Sequence, residues 1–488
     1  MALSLINASA LPPGSYAIEG VAGSPPTNLS NFSRGYILIE GSKGEYHTPI
    51  QVTDPDDAQE KFGVSGQDLW AIQNIFTQYA RTVLFCIRPK ISRRWQVSVL
   101  ADGAAGDVIT LSIGSNTASY TTTDGTAEDI LSGLYEAIID EQSATAEYLD
   151  VESFDTVAGT FDVIEKIEGT ASLTVSAPGA YISAANTTGT TPSPSDVVRA
   201  LRAINPAFYR PGYVIAPGFY AKLSDQGDRQ QLSAGLKDFA EEYDFLSLSD
   251  PGNGLTTFEQ YRDEGLLTLC PRGHAAYYFP WAIDGRGNPI PPSSYVVGYA
   301  MRIYEIGGGF RQPPASLTDP LRNITGLTLD VHPTQHAIAN NEHNLNVLVR
   351  YYDFGGLRYH IAGARTRAVD PLFNTITDRV IFNVLLDSLR ISLRAFTFQS
   401  IDGQLQLFRS IRRTCLSILE TLRKGGALFG ADPDAAYEVI CDRTNNSDDS
   451  LELGRVNVTI YAVPSPFVEK LVAQVNRVKI GEIEVLVG

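Results

Sequence analysis

GGALFGADPDAAYEVICDRTNNSDDSLELGRVNVTIYAVPSPFVEKL, residues 425–471, reads as a complete structural module. A helical run closes on Gly425-Gly426, where the lack of side chains suits a helix end. The small-residue turn GALFG follows, then a strand, a polar loop rich in Asn and Asp, a second strand and a proline-flanked helix. The second strand, RVNVTIYAV, alternates cleanly and puts Val456, Val458, Ile460 and Ala462 on one side. The module contains no catalytic residue pattern, which points to assembly rather than chemistry.

Two helices are expected just upstream. Thr375 and Asp378 give the first a capping-box-like start, and Ile381, Leu385, Leu389 and Phe396 line one of its faces. Asp402 caps the second, where Leu405, Phe408, Ile411, Cys415, Leu419 and Leu422 form a stripe that stops at Lys424-Gly425. Downstream, RVKIGEIEVLVG is a further strand running to the last residue.

Further back, residues 191–372 alternate strand and helix: YVIAPGF, a helix through LSAGLKDFAEEY, FLSLSDPG, then LLTLCP and HAAYYFPWAID. Alternation of this kind implies an α/β layer with parallel strands. Residues 33–94, with the strand GYILIEG and a helix and strand in DLWAIQNIFTQYARTVLFCI, read as the first part of an α/β core. Between them, residues 95–190 turn to Thr, Ser, Ala and Gly, with alternating strands such as DVITLSIG and ASLTVSA around one helix, AEDILSGLYEAIIDE. This segment is an inserted mostly-β domain, followed by the linker TTGTTPSPS. Pro12-Pro13-Gly14 and Pro25-Pro26 make residues 1–32 an extended arm. The expected fold class is therefore α+β multidomain: an α/β central domain, an inserted mostly-β domain, an α+β C-terminal domain over 373–476, and extended N- and C-terminal arms, the latter over 477–488.

At 488 residues the chain exceeds a single core. Its net charge of −17 argues against a basic nucleic-acid face. Between Trp95 and Ser195 fifteen acids stand against Lys166 alone, so this segment carries −14 and the remainder only −3. Cys86, Cys270, Cys415 and Cys441 lie far apart without a C-x-x-C and read as buried thiols. No apolar run approaches the roughly 20 residues of a membrane helix, so no stable membrane insertion is expected. The opening MALSLINASALPPG has no basic start and Asn7 breaks its apolar core, so no secretory leader is expected either.

The order of elements in the opening module resembles the C-terminal domain of the contractile tail sheath proteins of bacteriophages and related injection systems. That family's pattern is roughly G-A-L-x-G, then A-(F/Y)-x-V-x-C-D-x-x-x-N, then G-R-(L/V) and a strand ending in a proline pair. Here those positions are Gly426, Ala427, Leu428, Gly430, Ala436, Tyr437, Val439, Cys441, Asp442, Asn445, Gly454, Arg455, Val456, Pro464 and Pro466. Near the start, Pro13, Gly14, Tyr16, Gly41, Gly44, Pro49, Val52, Thr53, Phe62 and Gly63 occupy family positions. In the middle, Tyr277, Tyr278, Pro280 and Trp281 come close to a Y-Y-P-W segment, with Phe279 inserted. Pro291-Pro292-Ser293, Gly298, Leu345-Asn346 and Gly363-Ala364-Arg365-Thr366 also match. FTFQSIDGQL departs from the family's F-E-x-N turn.

The resemblance implies a structural subunit that polymerises helically around an inner tube and contracts to drive it through a target envelope. The implied partners are further copies of the chain, the inner tube protein, and baseplate and tail terminator proteins. The implied location is a virion tail assembled in the host cytoplasm, or the cytoplasm for a cell-encoded injection system. Both arms would add strands to neighbouring subunits, a head-to-tail contact that builds an open helix. The expected tethers are residues 11–18, with Leu11, Tyr16 and Ile18, and residues 478–487, with Val478, Ile480, Ile483, Val485 and Val487. Pairing of the last strand within its own subunit is the alternative. The family places its C-terminal domain beside the tube, which makes Arg409, Arg412 and Arg413 candidates to face an acidic tube; a merely solvated cationic face is the other reading. The acidic insertion is expected on the outside of the polymer.

Sites for chemistry are weak. His332, His336 and His343 lack the H-E-x-x-H pattern and are expected on a surface or loop, since Pro333 interrupts a helix there. Gly307-Gly308-Gly309-Phe310-Arg311 lacks the Gly-Lys-Ser/Thr of a phosphate loop and reads as a tight turn before Pro313-Pro314. Asp250 stands where α/β enzymes place acids, but is expected to cap the PGNG turn that follows it. No G-x-S-x-G elbow is present. No cofactor or metal is expected; an enzyme on the α/β domain, using Asp250 and nearby histidines, is the competing class.

Overall fold

A computed structural model describes residues 29–470, apart from 31, 141–144, 146–147, 167–171, 189–190, 307–308, 354 and 404. The fold is mixed α/β with several sheets. The chain divides into two compact units, Phe32–Arg379 and the flanking Met1–Asn31 with Val380–Gly488.

In the larger unit, strands with every residue buried, such as Tyr213–Ile215, Leu246–Ser249 and Ala275–Phe279, run through the centre of an eight-stranded sheet. Burial of every residue along a strand belongs to parallel strands covered on both faces. In spatial order the sheet is Gly356–Ala362, Asn346–Asp353, Ala275–Phe279, Leu246–Ser249, Tyr213–Ile215, Arg34–Leu38, Val83–Ile87 and Ile50–Val52. The six inner strands are parallel, and the two edge strands pair antiparallel. Numbered along the chain, the parallel strands run 2-1-3-4-5-6, a doubly wound order whose direction of winding reverses between Arg34–Leu38 and Tyr213–Ile215.

Alternation along Arg34–Leu38 shows how both faces are covered. Tyr36 and Leu38 join an apolar cluster with Val197 and Leu201 of helix Pro194–Leu201 and Leu232, Leu236 and Phe239 of helix Gln226–Tyr243. Gly35, on the opposite face, lies against Val297 of helix Pro292–Ile306. That helix packs on helix Gly66–Gln78 through Gly298, where a Cβ would stand 2.7 Å from the Ile75 carbonyl oxygen. Leu266–Pro271, read from sequence as a strand, is not one. The helix Phe258–Leu266 ends there and the next strand is Ala275–Phe279.

The motifs of this unit meet around Asn346. Its side-chain amide donates to the carbonyls of Tyr277 at 3.2 Å and Arg365 at 2.7 Å, and its Oδ1 accepts from the Arg365 amide at 2.6 Å. Trp281 is buried, and its Nε1 donates to the Pro251 carbonyl at 3.0 Å. Y-Y-P-W, L-N and G-A-R-T are therefore packing signatures.

Residues 94–186 form two antiparallel sheets of their own. One is ordered Ile182–Asn186, Arg94–Val99, Thr160–Glu165 and Leu149–Asp155; the other is Asn116–Thr121, Val108–Ile113 and Leu173–Ser176. Their alternating inner residues, Trp95, Val97, Ile109, Leu111, Phe161 and Val163, close on Ile130, Leu134 and Ile138 of helix Ala127–Ile139 in a separate core.

The smaller unit holds most of helix Ile376–Leu393, helix Gln406–Lys424 and the antiparallel pair Tyr437–Ile440 with Thr459–Ala462. Thr375 and Asp378 bond at the start of the first helix as expected, with Asp378 N donating to Thr375 Oγ1 at 3.1 Å. Both Asp402 oxygens accept from the second helix, from Gln406 N at 2.9 Å and Leu407 N at 3.0 Å. Leu405, expected in the apolar stripe, instead precedes that helix in left-handed backbone. The polar loop contains a short helix, Asp448–Glu452, that sequence did not suggest. Residues 464–470 are not helical, so the proline-flanked helix is not present over the described residues: prolines at 464 and 466 deny the segment both φ freedom and amide donors.

Candidate assembly interface

Helix Gln406–Lys424 sorts its residues by face. Leu407, Phe408, Ile411, Thr414, Cys415, Ile418, Leu419 and Leu422 are buried, while Arg409, Arg412 and Arg413 are exposed. The later turns pair their charges. Glu420 takes Arg423 at 2.8 Å, Lys424 at 3.4 Å and the Tyr437 hydroxyl at 2.9 Å. Hydrogen bonds from Arg423 and then Tyr437 pull its carboxyl down to about 2. Arg409, Arg412 and Arg413 have no ion pair to an acid among the described residues. The helix therefore shows a cationic patch toward its start, without ion pairs among the described residues, and a paired cluster at its end, where one acid bonds two bases.

Arg412 also has a structural bond: its Nε donates to the Val439 carbonyl at 3.1 Å. Beside it runs a groove of about 770 Å³, lined by Arg412, Arg413, Glu420, Tyr437 and Glu438. On the hairpin, Tyr461 and Val463 are two residues apart and both exposed. Phe429, whose amide donates to the Val463 carbonyl at 2.9 Å, is exposed too. A two-stranded sheet with apolar side chains in water is a marginal structure by itself.

The motif residues hold this hairpin in shape. Asn445 Nδ2 donates to the carbonyls of Ile440 at 2.9 Å and Asn457 at 3.2 Å, while Asp442 Oδ1 accepts from Thr444 N at 2.8 Å. Buried Asn446, which the motif reading did not single out, donates to the Asp442 carbonyl at 2.9 Å and that of Asn457 at 3.0 Å. Doubled Asn in a loop before a strand was the available signal for such cross-bracing. A Cβ on Gly430 would come within 2.8 Å of the Ala436 amide nitrogen, so G-A-L-x-G marks a close chain crossing. At the other end of the chain, Ser30 N donates to Ser388 Oγ at 2.9 Å, and its hydroxyl bonds Asp387. Leu11, Tyr16, Ile18, Val478, Ile480, Ile483, Val485 and Val487 lie outside the described residues, as do Gly307 and Gly308.

The candidates for chemistry are occupied by the chain itself. Asp250 does not cap its own turn: Oδ1 accepts from Ser293 N at 2.7 Å and Oδ2 from Ser293 Oγ at 2.5 Å, so it fixes the start of helix Pro292–Ile306, forty-three residues on. A helix does run through the histidines, Pro333–His343, because proline fits a first helical turn. His332 caps it, with Nδ1 2.8 Å from Thr334 Oγ1, and His336 Nε2 lies 3.1 Å from the Ala362 carbonyl. No cluster of three or more metal-ligating side chains is found among the described residues. Where the doubly wound order reverses, the place at which such folds hold ligands, Asp68 Oδ2 accepts from Glu40 N at 3.2 Å and stands 3.8 Å from Lys222 Nζ. Gly218 leaves no gap there, since a Cβ would fall 2.0 Å from Asp68 Oδ1. The four cysteines are free and buried, and no helix among the described residues is long and apolar enough to cross a membrane.

No protein-family model matches the chain, and no curated protein matches it in sequence. Solved structures do match over nearly its whole length. The PVC sheath complex of an extracellular contractile injection system, in the contracted state, is 12% identical with a TM-score of 0.58, covering 96% of this chain and 98% of that one. The anti-feeding prophage helical sheath in the contracted state is 13% identical with a TM-score of 0.57, covering 95% and 99%. The chain has the fold of contractile sheath proteins. A further chain with this fold, 13% identical with a TM-score of 0.58, comes from the six-fold symmetrised anti-feeding prophage baseplate.

Proposed function

We propose that this chain is the repeating structural subunit of a contractile sheath, which polymerises helically around an inner tube and shortens to drive the tube through a target envelope. The observation that carries this reading is the match of almost the entire chain, both units included, to sheath subunits of contracted assemblies. The sheath reading assigns the chain no catalytic role, and its working energy lies in subunit contacts rather than in a bound nucleotide. The partners are further copies of the chain, the inner tube, and baseplate and tail terminator proteins at the polymer's ends.

In this reading the chain ends are tethers. Residues 11–18 and 478–487 add strands to the sheet edges of neighbouring subunits, and the exposed hairpin with Tyr461, Val463 and Phe429 suits such an addition. Backbone hydrogen bonds carried on such tethers persist while the units they join turn. Arg409, Arg412 and Arg413 face an acidic tube, and the acidic insertion lies outermost, where like charge hinders bundling of filaments. The reading covers two settings, a phage tail and, as its alternative, a cell-encoded injection device; the match to an extracellular contractile injection system is compatible with the second.

Electron microscopy of the protein with its tube partner tests the proposal. Hollow, helically striated tubes of one width are expected; discrete small oligomers contradict it.

A further inference from the structure

The α/β core and the insertion meet at a polar neck. The apolar side chains on its two sides fall in separate clusters: Val197, Ala200 and Leu201 belong to the core cluster, and Trp95, Val97 and Phe161 to that of the insertion. What joins them is a set of polar and charged side chains: Arg93 and Arg94 on the first crossing, Glu165 at a strand end of the insertion, and Asp196 and Arg199 on helix Pro194–Leu201.

Asp196, fully buried on that helix, is the hub. Its carboxylate accepts from Ser92 N at 3.0 Å, Arg94 Nη1 at 2.9 Å and Ser193 N at 3.0 Å. Arg94, the first residue of the insertion's first strand, also donates to Ser195 Oγ at 3.0 Å and the Ser92 carbonyl at 3.2 Å. One turn along the helix, Arg199 Nη1 donates to Ser92 Oγ at 2.8 Å and to the carbonyl of Glu165, which ends another strand of the insertion. Arg93 lies over Trp95, 5.2 Å from the ring centroid, and its Nε donates to Glu165 Oε2 at 2.9 Å. Burial opposes the charge on Asp196, but the bonds from Arg94, Ser92 and Ser193 outweigh it and hold the carboxyl below its usual range.

Buried ion pairs add little net stability compared with apolar packing, but they tolerate only narrow geometries. Here one core helix grips two strands of the insertion through two side chains: Asp196 holds Arg94 of one, and Arg199 holds the Glu165 carbonyl of the other. A single pivot would allow swinging; two grips one turn apart on the same helix resist it. We propose that this neck is a rigid coupling, which fixes the orientation of the insertion on the α/β core so that any turn of the core is delivered in full to the insertion. The inference concerns the single subunit and stands whether or not it polymerises.

Pulsed electron resonance between nitroxides tests it on the full-length protein, at a concentration where it is monomeric. Val157→Cys in the insertion and Leu267→Cys in the core place the labels, because both side chains are exposed while the native cysteines are buried. The parent pair is expected to give one narrow distance distribution, which Asp196→Ala broadens roughly twofold by opening a hinge. Arg199→Met keeps the stem packing, removes one of the two grips, and is expected to broaden it in the same direction by less. It serves as the test if Asp196→Ala does not fold. A parent distribution already as broad as the variants, or folded variants as narrow as the parent, overturns the proposal.

Discussion

The insertion and the C-terminal hairpin are both antiparallel β structures on the same chain, yet they are finished in opposite ways. The insertion closes seven strands in two sheets over a helix, has its own core and carries a net acidic charge. The hairpin has two short strands, leaves Phe429, Tyr461 and Val463 in water, and lies beside a helix with three exposed arginines. A region complete in itself adds bulk and charge, whereas exposed apolar side chains on two short strands leave surface that a partner could cover. Under the sheath reading, assembly depends on the second kind and is indifferent to the interior of the first.

The largest effect that sharpens this contrast is expected from deleting residues 477–488. Monomers should remain folded by circular dichroism while tubes disappear from electron micrographs; normal tubes would mean that the hairpin needs no donated strand. Next comes Phe161→Ala in the insertion, where loss of a fully buried ring costs about 3–5 kcal/mol. Calorimetry should show the insertion melting early and the core transition little moved, with tubes still forming below the early transition. Loss of tubes there would break the contrast.

Arg412→Glu with Arg413→Glu is expected to abolish co-sedimentation with the tube. It should lower stability by only about 1 kcal/mol, the worth of the Arg412 bond to Val439. Unchanged co-sedimentation would make the cationic face a solvated one. The smallest effect concerns pH. Burial pushes the Asp68 carboxyl up to about 7, against the opposing pull of Lys222. Because the folded state holds this proton more tightly than the unfolded chain, its contribution is full at acid pH and fades as pH rises through about 7. Asp68→Asn should therefore gain in melting temperature relative to the parent as pH rises from about 4 to about 7. A constant difference would show that Asp68 stays ionised throughout.

What the sequence revealed followed the range of the forces involved. Helix ends set by near neighbours, such as Thr375 with Asp378 and Asp402 with Gln406, were readable because both partners lie within one turn. So was the alternation that separates the strands of the insertion from the buried runs of the core. Asp250 was misread because its partner, Ser293, is forty-three residues away, and a turn beside it offered a nearer explanation. Pro333 reads as a helix breaker, yet its position in the first turn makes it a helix starter. Neither the 2-1-3-4-5-6 strand order nor the neck appears in local pattern, since Arg94 meets Asp196 only after the whole insertion has folded back. The candidate interface was legible as a cationic stripe, but the bracing by Asn446 and the neutralisation of Arg423 by Glu420 required the folded geometry.

The most direct measurement is negative-stain electron microscopy of the purified protein, alone and with its tube partner. The sheath account predicts hollow, helically striated tubes of a single width. Monodisperse monomers or small oligomers under both conditions, from protein with both chain ends intact, would contradict it.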